Sequence, residues 1–309
     1  MPAAPLFVFG VAQRTGTHYL AALLTLHPRC VPLSEPSTET ASRPEDHLFD
    51  KADALLSYVD VVRRKWRADW NLGEGADHLL LSELTDALGR FVVRTGTANH
   101  TEGKNVAYVV TKTPSTANLN LLVETMPDLP VIVIARDGRS VAESAKRTFG
   151  RSYERWTRIW RHGVDNLIAA SEADEGGSLK VVRYEDLLSD LEATMTDVLE
   201  HVGLSTIDYD WDAARALPVR GSSVLRGDNP DFSWAPVVDA TGEVGRPRWE
   251  SWPARRKARF AHLAGEQMRW LGYAVEPPAQ RTAFADVIRD GLWGGARLAR
   301  RAVDRVRDF

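Results

Sequence analysis

Leu6-Phe7-Val8-Phe9-Gly10-Val11-Ala12-Gln13-Arg14-Thr15-Gly16-Thr17-His18-Tyr19-Leu20-Ala21-Ala22-Leu23-Leu24 carries the reading of the fold. The run Leu6–Val11 is apolar, aromatic and β-branched, which predicts a buried strand; a small-residue turn follows, and Tyr19–Leu24 favours a helix. Strand, turn and helix in that order open a parallel-sheet unit. The turn is also chemically specific. Backbone N–H groups at a helix start face outward, and the helix dipole favours negative charge there. Gly16 lets a ligand approach the backbone, Thr15 and Thr17 carry hydroxyl donors, and Arg14 adds a charged fork. The triphosphate-binding loop needs four residues between its glycines and then Lys. Here five residues separate Gly10 from Gly16, and Thr17 stands at the lysine position, so an ATP- or GTP-magnesium site is disfavoured.

Outward from this stretch, Val106–Val110, Val131–Ile134 and Leu179–Arg183 read as further strands. Ser115–Met126, Thr194–Val202 and Ala254–Leu271 read as helices, the last two stopped by Gly203 and Gly272. Alternating strands and helices predict an α/β fold with a central parallel sheet flanked by helices. Residues 1–280 are expected to form one domain, interrupted by polar, Trp-bearing segments at 36–105 and 205–253 that suit the wall of a substrate pocket. Residues 281–309 read as an amphipathic basic helix, with Phe284, Val287, Ile288 and Leu292 among its arginines. Packing on its own domain is favoured for it, with a membrane surface or a second copy of the chain as alternatives.

Composition excludes several classes. A net charge of −3 gives no reason to expect nucleic-acid binding. The single cysteine, Cys30, excludes an intrachain disulfide and reads as a small buried hydrophobe before an apolar turn. No metal-ligand cluster stands out, and His27, His47, His78, His162, His201 and His262 read as structural. The first residues lack a basic leader and no stretch is long enough to span a bilayer, so a cytoplasmic protein is expected. Trp66, Trp70, Trp211, Trp234, Trp249 and Trp252 lie in or beside the irregular segments, where aromatic walls would suit a sugar or aromatic acceptor.

Four segments together resemble the sulfotransferase superfamily, whose donor is 3′-phosphoadenosine 5′-phosphosulfate (PAPS). Arg14-Thr15-Gly16-Thr17 is similar to its 5′-phosphosulfate loop, and Arg136-Asp137-Gly138-Arg139-Ser140-Val141-Ala142-Glu143-Ser144 to its 3′-phosphate segment. Arg183-Tyr184-Glu185-Asp186-Leu187 is similar to its strand-end motif, and Glu243-Val244-Gly245-Arg246-Pro247-Arg248-Trp249 to its C-terminal signature. The resemblance implies that Gln13, Arg14, Thr15, Gly16, Thr17, His18, Arg136, Ser144, Tyr184, Arg246 and Arg248 contact the donor. His18 stands where the family carries a second threonine.

The motif pattern is nearest the tyrosylprotein type, through Asp137-Gly138-Arg139 and through Glu35 in the place of that type's glutamate. The resemblance makes Glu35 the base and Lys112, in Thr111-Lys112-Thr113-Pro114, the catalytic lysine, and Arg14 is expected to neutralise charge on the sulfonate and leaving phosphate together with it. The cytosolic branch places a histidine two residues after the lysine; this chain has Pro114. The expected reaction passes a sulfuryl group to the hydroxyl of a small molecule, sugar or natural product, with no metal, and a homodimer is compatible with it. Two other readings stand beside this one: a nucleotide kinase or triphosphatase on the same loop, and a sulfotransferase-like protein that binds without turnover.

Overall fold

The computed structural model describes residues 3–33, 105–217 and 247–275, together with positions 61, 83, 86, 87, 89–91, 93 and 94. The insertions at 36–105 and 205–253 therefore lie mostly, and the tail 281–309 wholly, outside the described residues. Two compact units divide at Glu250 and Ser251.

In the first unit, β1 (Ala4–Gly10) leads into α1 (Thr17–Leu24), then β2 (Cys30–Pro32) and β3 (Tyr108–Thr113). After these come α2 (Leu119–Thr125), β4 (Val131–Ala135), α3 (Gly138–Phe149), α4 (Tyr153–Ala173) and β5 (Leu179–Arg183). Helices α5 (Tyr184–Ser189), α6 (Leu191–His201) and α7 (Trp211–Ala216) follow. The five strands form one sheet in the order β2-β3-β1-β4-β5, and every pairing is parallel.

Burial explains why the strands are apolar throughout. Leu6, Val8, Val110, Ile132, Ile134 and Val182 share a core with Tyr19, Leu20, Leu23 and Leu24 of α1 and with Met195, Val198 and Leu199 of α6. By the two-residue period of a strand, Phe7, Phe9, Val131 and Val133 point to the opposite face, and they are equally buried. Both faces are thus covered, as a sheet built from crossover units requires. The expected α/β architecture is the one found.

Several boundaries differ from expectation. β3 starts two residues later and ends three residues later than Val106–Val110, because Thr111 and Thr113 are buried inside it despite their hydroxyls. Lys112 is consequently a strand residue, not one that follows the strand. α2 starts only at Leu119, since Asn118 takes a left-handed conformation with φ of 55°. Cys30 precedes no turn: it starts β2, paired with Tyr108, and burial pushes its thiol up to about 12. The stop at Gly203 holds for a stated reason. Gly203 has φ of 67°, and Leu204 N–H reaches back to Leu199 O at 2.8 Å, closing the helix end.

The second unit is described over Ser251–Val275. Trp252 packs on Phe260 at 6.1 Å between ring centroids, and α8 (Ala254–Trp270) ends at Gly272 with the same closing bond, from Tyr273 N–H to Met268 O. Among the described residues no helix is long and apolar enough to cross a membrane.

Candidate anion-binding site

The carboxyl ends of β1 and β4 lie side by side, with Gly10 opposite Ile134, and Ala135 of β4 is opposite Arg183 of β5. The chain leaves β1 toward β2 and β3, but leaves β4 toward β5. Such a switch point opens a crevice at the carboxyl edge of a sheet. The β1–α1 loop fills it. Arg14 has φ of 76° and Gly16 φ of 105°, while Thr15 between them stays at negative φ and Thr17 begins the helix. Alternating handedness along consecutive residues turns successive N–H groups to one concave side, a nest for an anion. Positive φ in an arginine costs about 1–2 kcal/mol, so the loop holds strain at the position where charge is wanted.

Glycine is required at two points, one in this loop and one packed against it. A Cβ on Gly16 would stand 2.5 Å from Tyr184 Cδ2, and one on Gly163 of α4 would run into the Val11 carbonyl. Helix α4 therefore touches the loop backbone directly, and Thr116 Oγ1 donates to Gly163 O at 2.8 Å from the other side. Thr15, read as a donor toward a ligand, instead gives its hydroxyl hydrogen to Ala12 O at 2.9 Å and is buried. It braces the turn. Gln13 is exposed at the loop's outer edge.

The second motif meets the first here. Arg136 follows β4, its Nη1 donates to Arg14 O at 3.3 Å, and its guanidinium lies 4.4 Å from the Tyr184 ring centroid. Its Nε is buried and makes no hydrogen bond. Ser144, two turns into α3, accepts from Arg14 Nε at 2.9 Å. Arg14, Arg136, Ser144 and Tyr184 thus form one cluster, with the Tyr184 ring between Gly16 and Arg136. Burial, and then the nearby Arg136, pull the Arg14 guanidinium down from its ordinary range to about 10. It stays charged near neutrality, in a setting that an anion would relieve. Burial raises the Tyr184 phenol, against the pull of Arg136, so it remains neutral.

Residues beyond the expected set hold this cluster. Asp137 caps α3 by accepting from Arg139 N–H, and its own N–H donates to Glu185 Oε1 at 3.1 Å. Arg139 Nη2 meets Asp137 Oδ2 at 2.7 Å, and its guanidinium lies 3.6 Å from the Trp249 ring. Trp160, fully buried on α4, donates from Nε1 to Arg136 O at 3.0 Å. The sequence reading passed over Trp160 and Gly163. The spacing of Trp156, Trp160, Val164 and Leu167 was the available signal for their helix.

Lys112 Nζ lies 3.1 Å from Nε2 of His18, the second residue of α1, while Arg14 bonds to Ser144. The described structure thus pairs the two cations named for catalysis with different partners. Arg248 is exposed at the start of a short 3-10 turn, Arg248–Ser251. Glu35 and Arg246 lie outside the described residues, as do His47, His78, Trp66, Trp70 and Trp234. Trp211 packs edge-on against Tyr209 at 4.7 Å, which accounts for it as packing. Among the described residues no three metal-ligating side chains come together.

The sequence model of the Sulfotransferase family matches residues 5–208, about two thirds of the chain and all of this cluster. No curated protein matches significantly. Among solved structures, the sulfotransferase domain of the olefin synthase of Synechococcus PCC 7002 is similar at 16% identity and a TM-score of 0.52, covering 89% of this chain and 97% of that one. The sulfotransferase domain from the curacin biosynthetic pathway is similar at 15% identity and a TM-score of 0.50, covering 89% and 99%. These likenesses bear out the fold.

Proposed function

Since the chain belongs to the sulfotransferase family, we propose that it moves a sulfuryl group from PAPS to an acceptor hydroxyl by in-line displacement, with Glu35 as base. The observation that carries this reading is the bond from Arg14 Nε to Ser144 Oγ, 2.9 Å long, which joins the 5′-phosphosulfate loop to the 3′-phosphate segment. A donor phosphorylated at both positions needs two anion-binding parts. This cluster offers a nest at the β1–α1 turn and Arg136 with Ser144 beside it.

In the reaction the acceptor oxygen bonds to sulfur as the bond from sulfur to the 5′-phosphate oxygen breaks. The hydroxyl proton passes to the Glu35 carboxylate, and the departing phosphate keeps the electron pair. Glutamate, with an ordinary pKa of about 4.3, is ionised near neutrality but is a weak base for an alcohol, so proton transfer accompanies bond formation to sulfur. Positioning and electrostatics supply the rest, as in phosphoryl transfer. Arg14 and Lys112 offset charge on the sulfonate and the leaving phosphate. Arg136, Ser144 and Tyr184 hold the 3′ side, and Arg246 and Arg248 are further donor-binding residues.

The motif likeness to the tyrosylprotein type, through Glu35 and Asp137-Gly138-Arg139, supports the choice of base. It does not extend to the acceptor, because residues 36–105 share no likeness with a peptide-binding region. The hydroxyl of a small molecule, sugar or natural product is the favoured acceptor, and the segments 36–105 and 205–253 would frame it.

The test compares calorimetric binding of adenosine 3′,5′-bisphosphate without magnesium with that of ATP and magnesium, followed by transfer from labelled PAPS to a hydroxyl library. Tighter bisphosphate binding and labelled product are expected. Glu35→Ala should abolish turnover and keep bisphosphate affinity. Preference for ATP with magnesium would overturn the assignment, and full activity in Glu35→Ala would remove that residue from the mechanism.

A further inference from the structure

His18 and Lys112 come from different elements and meet at the mouth of the loop. β3 runs beside β1 with Lys112 opposite Val8, so Lys112 leaves the sheet near the end where the β1 loop begins. Its neighbours Thr111 and Thr113 are buried on the other face, while Lys112 is half-buried. His18 is the second residue of α1, also half-buried, and its Nε2 is 3.1 Å from Lys112 Nζ. An ammonium has three donors and no lone pair, so a ring nitrogen at this distance is the acceptor. With Lys112 as an ammonium, the contact requires a neutral His18 ring that carries its own proton on Nδ1.

We propose that His18 is a positioning residue for Lys112: its Nε2 lone pair fixes where the ammonium stands. The proposal rests on the reading of Lys112 as the cation that meets the sulfonate. A lysine ammonium sits on a flexible four-carbon stem and is not directed by its own shape, so each acceptor it meets helps to aim it. A neutral imidazole does this without cancelling the charge, as a carboxylate would. A threonine at position 18 would offer a hydroxyl to the phosphate, but its short side chain ends well before the imidazole Nε2. The substitution thus exchanges a phosphate contact for a lysine contact.

The experiment uses the full chain with His18→Leu and His18→Gln, each alone and combined with Lys112→Met. The readouts are kcat with PAPS and the Kd of adenosine 3′,5′-bisphosphate. Misplacing a catalytic group by an ångström costs on the order of 100-fold, so His18→Leu should lower kcat about 10- to 100-fold. The bisphosphate Kd should stay within about twofold. Gln, whose Oε1 can accept from Nζ, should restore most of the rate. In the Lys112→Met background, His18→Leu should add nothing. Nitrogen-15 NMR of the labelled chain should show the His18 ring protonated at Nδ1 in the wild type, and a shift toward Nε2 protonation in Lys112→Met.

Three results would overturn the proposal: independent, multiplying losses in the double variant; a bisphosphate Kd weakened tenfold by His18→Leu with kcat intact, which would make His18 a phosphate ligand; or an Nε2-protonated ring in the wild type. If the wild type neither binds the bisphosphate nor transfers from PAPS, the functional reading fails on its own. The NMR measurement then still decides whether the pair exists.

Discussion

Replacing Gly163 with alanine tests how the anion loop is held. The new Cβ would collide with the Val11 carbonyl oxygen, and would stand 2.7 Å from its carbon and 3.3 Å from Val11 Cα. An unstrained carbon contact needs about 3.5–4 Å, so α4 and the loop must part by about 1 Å. Side-chain overpacking costs about 1–3 kcal/mol, and the upper end applies here because backbone atoms have no alternative rotamer. Alanine returns about 1 kcal/mol of helix propensity over glycine. The net expectation is a loss of about 2 kcal/mol, read as a lower urea midpoint at unchanged slope. The collision also moves the peptide that leads into the nest, so bisphosphate affinity should fall about tenfold, roughly the loss of one charge-assisted hydrogen bond. Gly150→Ala serves as a comparison: nothing lies within 4 Å of its Cβ, and only its φ of 69° opposes the change. That variant should lose stability without losing affinity. Gly163→Ala with wild-type midpoint and wild-type affinity would refute the packing argument.

Two shorter predictions concern the surrounding frame. His27 is buried, its Nδ1 accepting from Arg29 N–H and its Nε2 donating to Ser205 O, both at 3.1 Å, and burial holds its pKa below the ordinary 6.5. The unfolded chain therefore binds this proton first as pH drops, so the stability it contributes is intact above about 6.5 and is lost as pH falls toward the depressed folded value. Urea midpoints between pH 7.5 and 5 should drop in the wild type and drop less in His27→Gln; equal slopes would count against it. Trp249→Ala removes the ring 3.6 Å from Arg139, whose partner Asp137 adjoins Arg136. A cation–π contact of about 0.5–2 kcal/mol predicts a bisphosphate affinity about 2- to 30-fold weaker, largely restored by Trp249→Phe in the same calorimetric titration.

The parts of the fold that were legible are those where burial and chemistry agree. β5 has the bounds read from Leu179–Arg183, and β4 is one residue longer than Val131–Ile134, because an apolar run between turn residues has few other outcomes. β3 was misplaced because Thr111 and Thr113 are polar by type yet buried by position, which only tertiary context decides. β2 is three residues long and ends at Pro32, too short to show a period. α4 is capped by Ser152 and its apolar residues keep helical spacing, but the charged and polar residues between them mask the stripe in a simple hydrophobicity profile. At the site, residue types were readable from motifs, but partners were not. Arg14 and Ser144 are 130 positions apart, and no local pattern announces that the arginine turns to this serine.

That turn explains why two weakly informative motifs make one informative site. Arg14 adopts a left-handed backbone, is half-buried, and faces Arg136, whose Nε has no hydrogen bond. Each of these features opposes folding: strain costs about 1–3 kcal/mol, and like charges brought together out of water repel. Internal bonds to Ser144 and from Arg136 to the Arg14 carbonyl offset part of this. A structural role would be served as well by a neutral side chain at either position, with neither strain nor repulsion. Two guanidiniums held together by a helix cap, a buried indole and a tyrosine ring are instead an arrangement whose energy falls when an anion arrives. On the proposed reading that anion is the bisphosphate donor, with the nest for one phosphate and Arg136 with Ser144 for the other.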